Sequence, residues 1–323
     1  MYRKISAIVI PTLIAIGIIA YMLMRVWGDL LTAFRHVVPV YLVAAVVICI
    51  AAWLLRGWRY RSILERLNYN VPLPVTTACI FVSQTANLVV PARLGDFVRV
   101  FILNHEYSTT YSEGVSSIVV ERVFDVVMVA LLGAVSLPFV LNVPPWFSTL
   151  ILIPLIAGAL FFGFLLFFRK VDAKNRYIQM LLTMVHEIRR ASLTVGSVIA
   201  LSFSSLVIWM LDVLVCLAVV MMFSQQIPLA VVVLAIVIGN LVKAVPITPG
   251  GVGTYELSLA LTFELAGVSP AVATLIAVID HLIKNLVTLA GGILSIYLFG
   301  DWVMPSIRKI MNMRLSGGSA PDQ

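Results

Sequence analysis

Long apolar runs alternate along this chain with short interruptions that are basic or rich in proline and glycine. Six runs have the length that a hydrocarbon core of roughly 30 Å requires of an α-helix. They cover residues 6–24, 38–56, 113–140, 148–168, 193–223 and 269–299. Two others, 75–90 and 229–245, stand at the short limit for a span. Each runs into a Pro/Gly cluster and is followed by a second short apolar piece, 97–104 and 254–266. Half-length helices joined in this way read as re-entrant hairpins, which survive at membrane depth only where protein or water satisfies the broken backbone. The pattern predicts an all-α polytopic membrane protein. It forms a single integral membrane unit over 1–323, with about six transmembrane helices, two re-entrant helical hairpins and a flexible polar tail over 315–323.

Composition agrees with the pattern. The chain is 61% hydrophobic and 11% charged, against about 25% charged in a soluble domain. The first run is too long for the apolar part of a cleaved leader, and Arg25, Val26 and Trp27 follow it in place of a small-residue cleavage site. Net charge is +7, and in a membrane protein basic residues set topology rather than bind nucleic acid. Arg56, Arg59, Arg61 and Arg66 fall in one connection. Arg169, Lys170, Lys174, Arg176, Arg189 and Arg190 fall in another, and Arg308, Lys309 and Arg314 in the tail. Six spans plus two hairpins place these clusters, with Arg3 and Lys4, on one face. Both termini of a multi-pass cell-membrane protein are then cytoplasmic. Segment 25–37, with Arg25 and Arg35, is the one mild exception.

The two hairpins repeat one order of parts: short helix, Pro/Gly tip, short helix, long span. Repeat 1 covers about 75–141 and repeat 2 about 229–299, with Ser112 aligning on Ser269. Three spans separate the copies, so they point in opposite directions and form an inverted repeat, the plan of many transporters. The tips would then meet near the midplane.

Charges gather in these segments. In "NLVVPARLGDFVRV", Pro91 and Gly95 break the helix and Asp96 stands where it can cap the return helix. Arg93 and Arg99 either face a polar cavity and hold a phosphate, or Arg99 and Asp96 form an i, i+3 pair that closes the hairpin. In the next span Glu121 and Asp125 share a face, and Arg122 stands three residues before Asp125 and within its reach. Each such charge in lipid costs about 2.5–3.5 kcal/mol, so all three must point inward and be paired. The last span carries Asp280, His281 and Lys284, with Asp280 and Lys284 at i, i+4; Asp212 lies in the fifth span and Lys243 just before the second tip. That tip, "PITPGGVGTYE", offers Pro249, Gly250, Gly251 and Gly253 for close backbone approach, and its return helix begins near Thr254. Glu256 in its first turn is either a helix-stabilising charge or a proton-coupled carboxylate. Cys49, Cys79 and Cys216 sit in apolar runs and read as buried thiols. The four histidines are scattered, so no metal site, cofactor or catalytic residue is expected.

The ordered motifs N…P-x-R-x-G-[DE]-x-x-R, E-R-x-x-D and P-G-G-x-G-x-x-E resemble the flippase-like membrane domain of the lysylphosphatidylglycerol synthase family. The matching residues are Asn87, Pro91, Arg93, Gly95, Asp96 and Arg99, then Glu121, Arg122 and Asp125, then Pro249, Gly250, Gly251, Gly253 and Glu256. The resemblance spans nearly the whole chain. It implies movement of lipids or lipid-linked headgroups between leaflets, with membrane lipids, anionic or polyprenyl-linked, as the partners. The synthases also carry a soluble aminoacyltransferase domain; the chain stops soon after its last span, so lysyl transfer is not expected. Relatives often have an arginine near the position of Asp280 and His281, where Lys284 stands one turn on.

Three functions follow as expectations. In the first, a lipid flippase, Arg93, Arg99, Arg122, Lys243 and Lys284 hold the headgroup phosphate. Asp96, Glu121, Asp125, Glu256 and Asp280 then balance charge or carry protons. The second is a membrane-embedded headgroup transferase with Glu121 or Asp125 as general base. The third is a small-solute or ion antiporter, which an inverted repeat also allows.

Overall fold

The computed structural model describes residues 2–34, 38–90, 93–140, 143–168, 175–245 and 247–299. Pro91, the basic residues Arg169, Lys170 and Lys174, those after the last helix, and the tail 315–323 lie outside them. Among the described residues there are eleven α-helices and no strand. In chain order they are α1 (Tyr2–Phe34), α2 (Val40–Arg66), α3 (Leu73–Val89), α4 (Asp96–Tyr107), α5 (Tyr111–Ser136) and α6 (Pro145–Phe167). Then come α7 (Arg176–Ser192), α8 (Val195–Met222), α9 (Leu229–Ala244), α10 (Thr254–Leu265) and α11 (Pro270–Phe299).

Helix starts carry the residues that local physics favours. Thr110 and Glu113 form a reciprocal capping box on α5, the Glu113 amide donating to Thr110 Oγ1 at 3.2 Å and the Thr110 amide to Glu113 Oε2 at 3.0 Å. Thr194 caps α8 in the same sense through the Ser197 amide. Prolines stand in the first turn of α3 and α6 and open α11, where an amide donor is not needed.

Helices α2, α6, α8 and α11 are each long and apolar enough to cross a membrane, and α1 (over Thr12–Gly28), α3 and α9 are shorter apolar helices. Their outward faces bear large hydrophobic side chains: Leu160 is 70% exposed and Phe167 87%. A patch of that kind is stable against acyl chains, not water. With the family relationship below, this makes the protein a multi-pass membrane protein.

Inside, α2 runs along α8 and α3, α11 packs on α3, α10 and α1, and α5 lies among α6, α7 and α9. Small residues set these approaches. A Cβ at Gly292 would run into Thr85 Oγ1 and one at Gly291 into the Phe81 ring, so α3 and α11 meet backbone to side chain without a gap. The breaks between α3 and α4 and between α9 and α10 lie against each other, since a Cβ at Gly250 would stand 3.1 Å from Leu88 Cδ2 and 3.6 Å from Leu88 Cα.

The pattern of apolar runs located every helix but one, and misjudged two boundaries. The basic segment before residue 193 contains α7, whose hydrophobic residues recur on one side only, so it has no continuous apolar run to mark it. Helix α1 continues to Phe34, into the 25–37 segment expected to be a connection, and Arg25 pairs there with Glu264 at 3.0 Å. Helix α2 runs ten residues past its expected end, to Arg66, so Arg56, Arg59, Arg61 and Arg66 do not form a loop. Arg59 is 1% exposed, so it belongs to the interior and carries no surface topology signal.

Candidate functional site

The site begins with α5, where Glu121 and Asp125, one turn apart, are both buried. Two buried carboxylates need cations, and two different helices bring them. Arg59 of α2 grips Asp125 with both ends of its fork, Nη1 to Oδ1 at 2.5 Å and Nη2 to Oδ2 at 2.9 Å. The same guanidinium donates to Ser205 Oγ at 2.7 Å and to Glu121 Oε1 at 3.4 Å. Arg99 of α4, fully buried, takes the other Glu121 oxygen at 2.5 Å and stacks over the Tyr60 ring at 4.5 Å. Trp209 of α8 completes the set by donating to Asp125 Oδ1 at 3.3 Å.

A second set ties α5 to the first break. Arg122 reaches back to Asp96 with Nε and Nη2, both at 3.2 Å. Gln84 and Asn87 each donate to the same Asp96 oxygen at 3.0 Å. Asp96 therefore takes its bonds from side chains of α3 and α5, and the first-turn position expected of a cap serves instead as an anchor for Arg122. The expected Arg99–Asp96 and Arg122–Asp125 pairs are replaced by Arg99–Glu121, Arg122–Asp96 and Arg59–Asp125. Helical spacing allowed the local pairs, but cations from other helices reach those carboxylates. Gly95 has an ordinary helical φ of −57°; glycine is needed there because a Cβ would press to 2.6 Å from the Asn87 amide and the Ser83 carbonyl. Its role is close approach rather than a break.

The second break uses glycine for its backbone. Gly250, Gly251 and Gly253 have φ of 63°, 77° and 85°, in the left-handed region where a side chain is strained. Glu256 in the first turn of α10 accepts from the Gly253 amide at 2.7 Å and from His281 Nδ1 at 2.7 Å. On its far side His281 Nε2 stands 3.0 Å from Lys243 Nζ. An ammonium can only donate, so His281 accepts at Nε2 and carries its proton on Nδ1, toward Glu256. On α11 the expected i, i+4 pair forms, Lys284 Nζ lying 2.9 Å from Asp280, and Tyr255 also donates to Asp280 at 2.7 Å. Arg56 of α2 pairs with Asp212 of α8 at 2.7 Å.

These groups surround one cavity of about 150 Å³. Of the expected site residues, Asn87, Arg93, Glu121, Arg122, Asp125, Lys243, Gly250, Gly251 and Lys284 line it. Asp96, Arg99, Glu256, Asp280, Gly95, Pro249 and Gly253 do not; the first four bond to residues that do. Arg99 in particular is sealed behind Glu121 and does not reach the open space expected for it. The cavity also takes in Trp53, Arg56, Trp209, Asp212 and His281. A signal for α2 was present: Ala45, Cys49, Ala52, Arg56, Arg59, Ile63 and Leu67 recur at spacings of three and four, so the arginines continue a buried stripe. All three cysteines are free and buried, and Cys49 borders the cavity.

An all-helical arrangement of the described residues, apolar outside and lined within by charged side chains, fits an integral membrane protein. The chain belongs to the family of the lysylphosphatidylglycerol synthase TM region, whose model matches residues 8–292. Glycosyltransferase AglD of Haloferax volcanii is 31% identical over 302 residues, covering 79% of this chain and 48% of that protein, so the chain spans about half its length. A UPF0104 membrane protein of Methanocaldococcus jannaschii is 27% identical over 223 residues, 66% of this chain and 93% of the relative. Another, of Methanothermobacter thermautotrophicus, is 22% identical over 323 residues, covering 90% and 96% of the two chains. No solved structure matches the chain.

Proposed function

We propose that the protein is a lipid flippase or transporter of the cell membrane. It moves an anionic phospholipid, or a lipid-linked headgroup of the polyprenyl-phosphate type, between leaflets while the tails stay in lipid. In this reading α1, α2, α5, α6, α8 and α11 span the bilayer with both termini cytoplasmic. The pairs α3–α4 and α9–α10 are re-entrant hairpins of an inverted repeat. In this reading it acts as a transporter.

The carrying observation is the cavity where both breaks and the long helices α2, α5, α8 and α11 converge, lined by the headgroup-binding candidates Arg93, Arg122, Lys243 and Lys284. Buried charges of this density are costly in a membrane and mark a substrate path by default. Glu121, Asp125, Asp96, Glu256 and Asp280 hold those cations or their neighbours in place. Arg99 acts here through Glu121, as a positioning residue.

Leaflet exchange of a fluorescent anionic lipid in proteoliposomes tests the reading. Arg122→Ala is expected to abolish exchange at unchanged protein level, because it removes a half-buried guanidinium that fronts the cavity; normal exchange in that variant overturns the assignment. A second reading, a headgroup transferase, is favoured by the name glycosyltransferase carried by the Haloferax relative. Product formation by purified protein with sugar donors supports it, and no product across donors removes it.

A further inference from the structure

The cations around the cavity are not equally matched. Arg56, Arg59, Arg99, Arg122 and Lys284 each have a carboxylate oxygen within 3.4 Å. Arg93 and Lys243 do not. Among the described residues Arg93 makes no hydrogen bond or ion pair, although it lines the cavity and its backbone is held at a left-handed φ of 55°. Lys243 spends one donor on His281, and its stem lies along Gly251, where a Cβ would press to 2.5 Å from Lys243 Cγ. Asn87, which lines the same space, has a buried Oδ1 with no partner. Arg93 belongs to the first break and Lys243 to the end of α9, at the second. Two positive charges, one from each break, thus face one polar cavity without a carboxylate at hydrogen-bond distance, Lys243 lying 5.4 Å from the centre of the Tyr255 ring.

Resting on the transport reading above, we propose that Arg93 and Lys243 form a two-sided clamp for a dianionic terminal phosphate, a phosphomonoester or the end of a diphosphate. The singly charged phosphodiester of an ordinary phospholipid does not match it. Two unmatched cations favour two negative charges. Arginine supplies a planar fork for two phosphate oxygens and lysine a point charge for a third. A monoester carries close to two charges at neutral pH and three acceptor oxygens, whereas a diester keeps one charge and loses one of those oxygens to the second ester. A phosphate held from both breaks ties the α3–α4 pair to the α9–α10 pair, so occupancy is reported to both halves at once.

Binding to the full-length chain in nanodiscs tests this with three probes: farnesyl monophosphate, its methyl diester with the same tail, and inorganic phosphate. The monophosphate is expected to bind at least about tenfold tighter than the methyl diester, and Arg93→Gln and Lys243→Gln each to weaken it by about 10- to 100-fold while sparing the diester. Competition by inorganic phosphate assigns the clamp to a free phosphate; its failure to compete assigns it to a lipid headgroup, and either result is compatible only with a dianion site once the ester preference is seen. Equal binding of the two esters to the unaltered protein overturns the clamp, whether or not the variants fold. A preference unchanged in both variants overturns it as well. Leaflet exchange of both esters, measured in parallel, separates the two ideas. Exchange without ester preference removes the clamp and leaves transport, whereas ester preference without exchange removes transport and supports the clamp.

Discussion

Arginines in this chain do two kinds of work, and burial separates them. Arg59 and Arg99 are sealed, 1% and 0% exposed, and neutralise Glu121 and Asp125 from two helices. Removing one member of such a group leaves a carboxylate uncompensated at low dielectric, which costs about 3–5 kcal/mol. Arg59→Ala is therefore expected to lower the unfolding temperature in detergent sharply, and Arg59→Met with Asp125→Leu to recover part of the loss. A double variant as unstable as the single one would show that the pair does not carry the effect. Lys243 fronts the cavity instead and has no carboxylate within hydrogen-bond distance, so its substitution should alter ligand handling more than stability. Which arginine belonged to which kind was only partly legible in the sequence. The motif residues were recognisable, but helical spacing suggested partners within one helix, and the actual partners came from α2 and α4. No local rule distinguishes an i, i+3 neighbour from a longer reach across a helix interface.

At the scale of elements, small residues decide how near the helices come. Gly291 and Gly292 let α11 settle on Phe81 and Thr85 of α3, and Thr85 donates to the Thr288 carbonyl at 2.9 Å across that contact. Gly292→Val is expected to push these helices apart, breaking that bond and opening the wall of the cavity that carries Lys284. Reduced thermal stability with increased labelling of Cys49, which borders the same cavity, would report it; unchanged stability and labelling would mean that α3 and α11 yield without separating. Ten of the eleven described helices could be read from apolar runs, because a membrane-facing helix must be apolar for most of its length. Helix α7 could not, since its polar face interrupts the run. The true end of α2 is marked only by a stripe at three- and four-residue spacing, because arginine normally marks the water interface and here Arg59 lies in the interior.

Across the whole molecule, the two breaks sit against each other, with Gly250 on Leu88. A Leu88→Cys, Gly250→Cys pair places two Cβ atoms near the spacing that a disulfide requires. Oxidation is expected to link α3 to the second break and to stop leaflet exchange until reduction restores it. Failure of that pair to cross-link would refute the contact, and undiminished exchange in the linked protein would refute a transport cycle that separates the breaks.

The linear order of residues determined by itself that the chain lives in a membrane, where nearly every helix lies and which segments break. Hydropathy and proline or glycine chemistry act over a few neighbouring positions, so a sequence records them directly. Tertiary structure alone decided which carboxylate holds which cation, and that Arg93 and Lys243 are left without a carboxylate partner. Those outcomes depend on distances between helices far apart in the chain, and no periodicity encodes them.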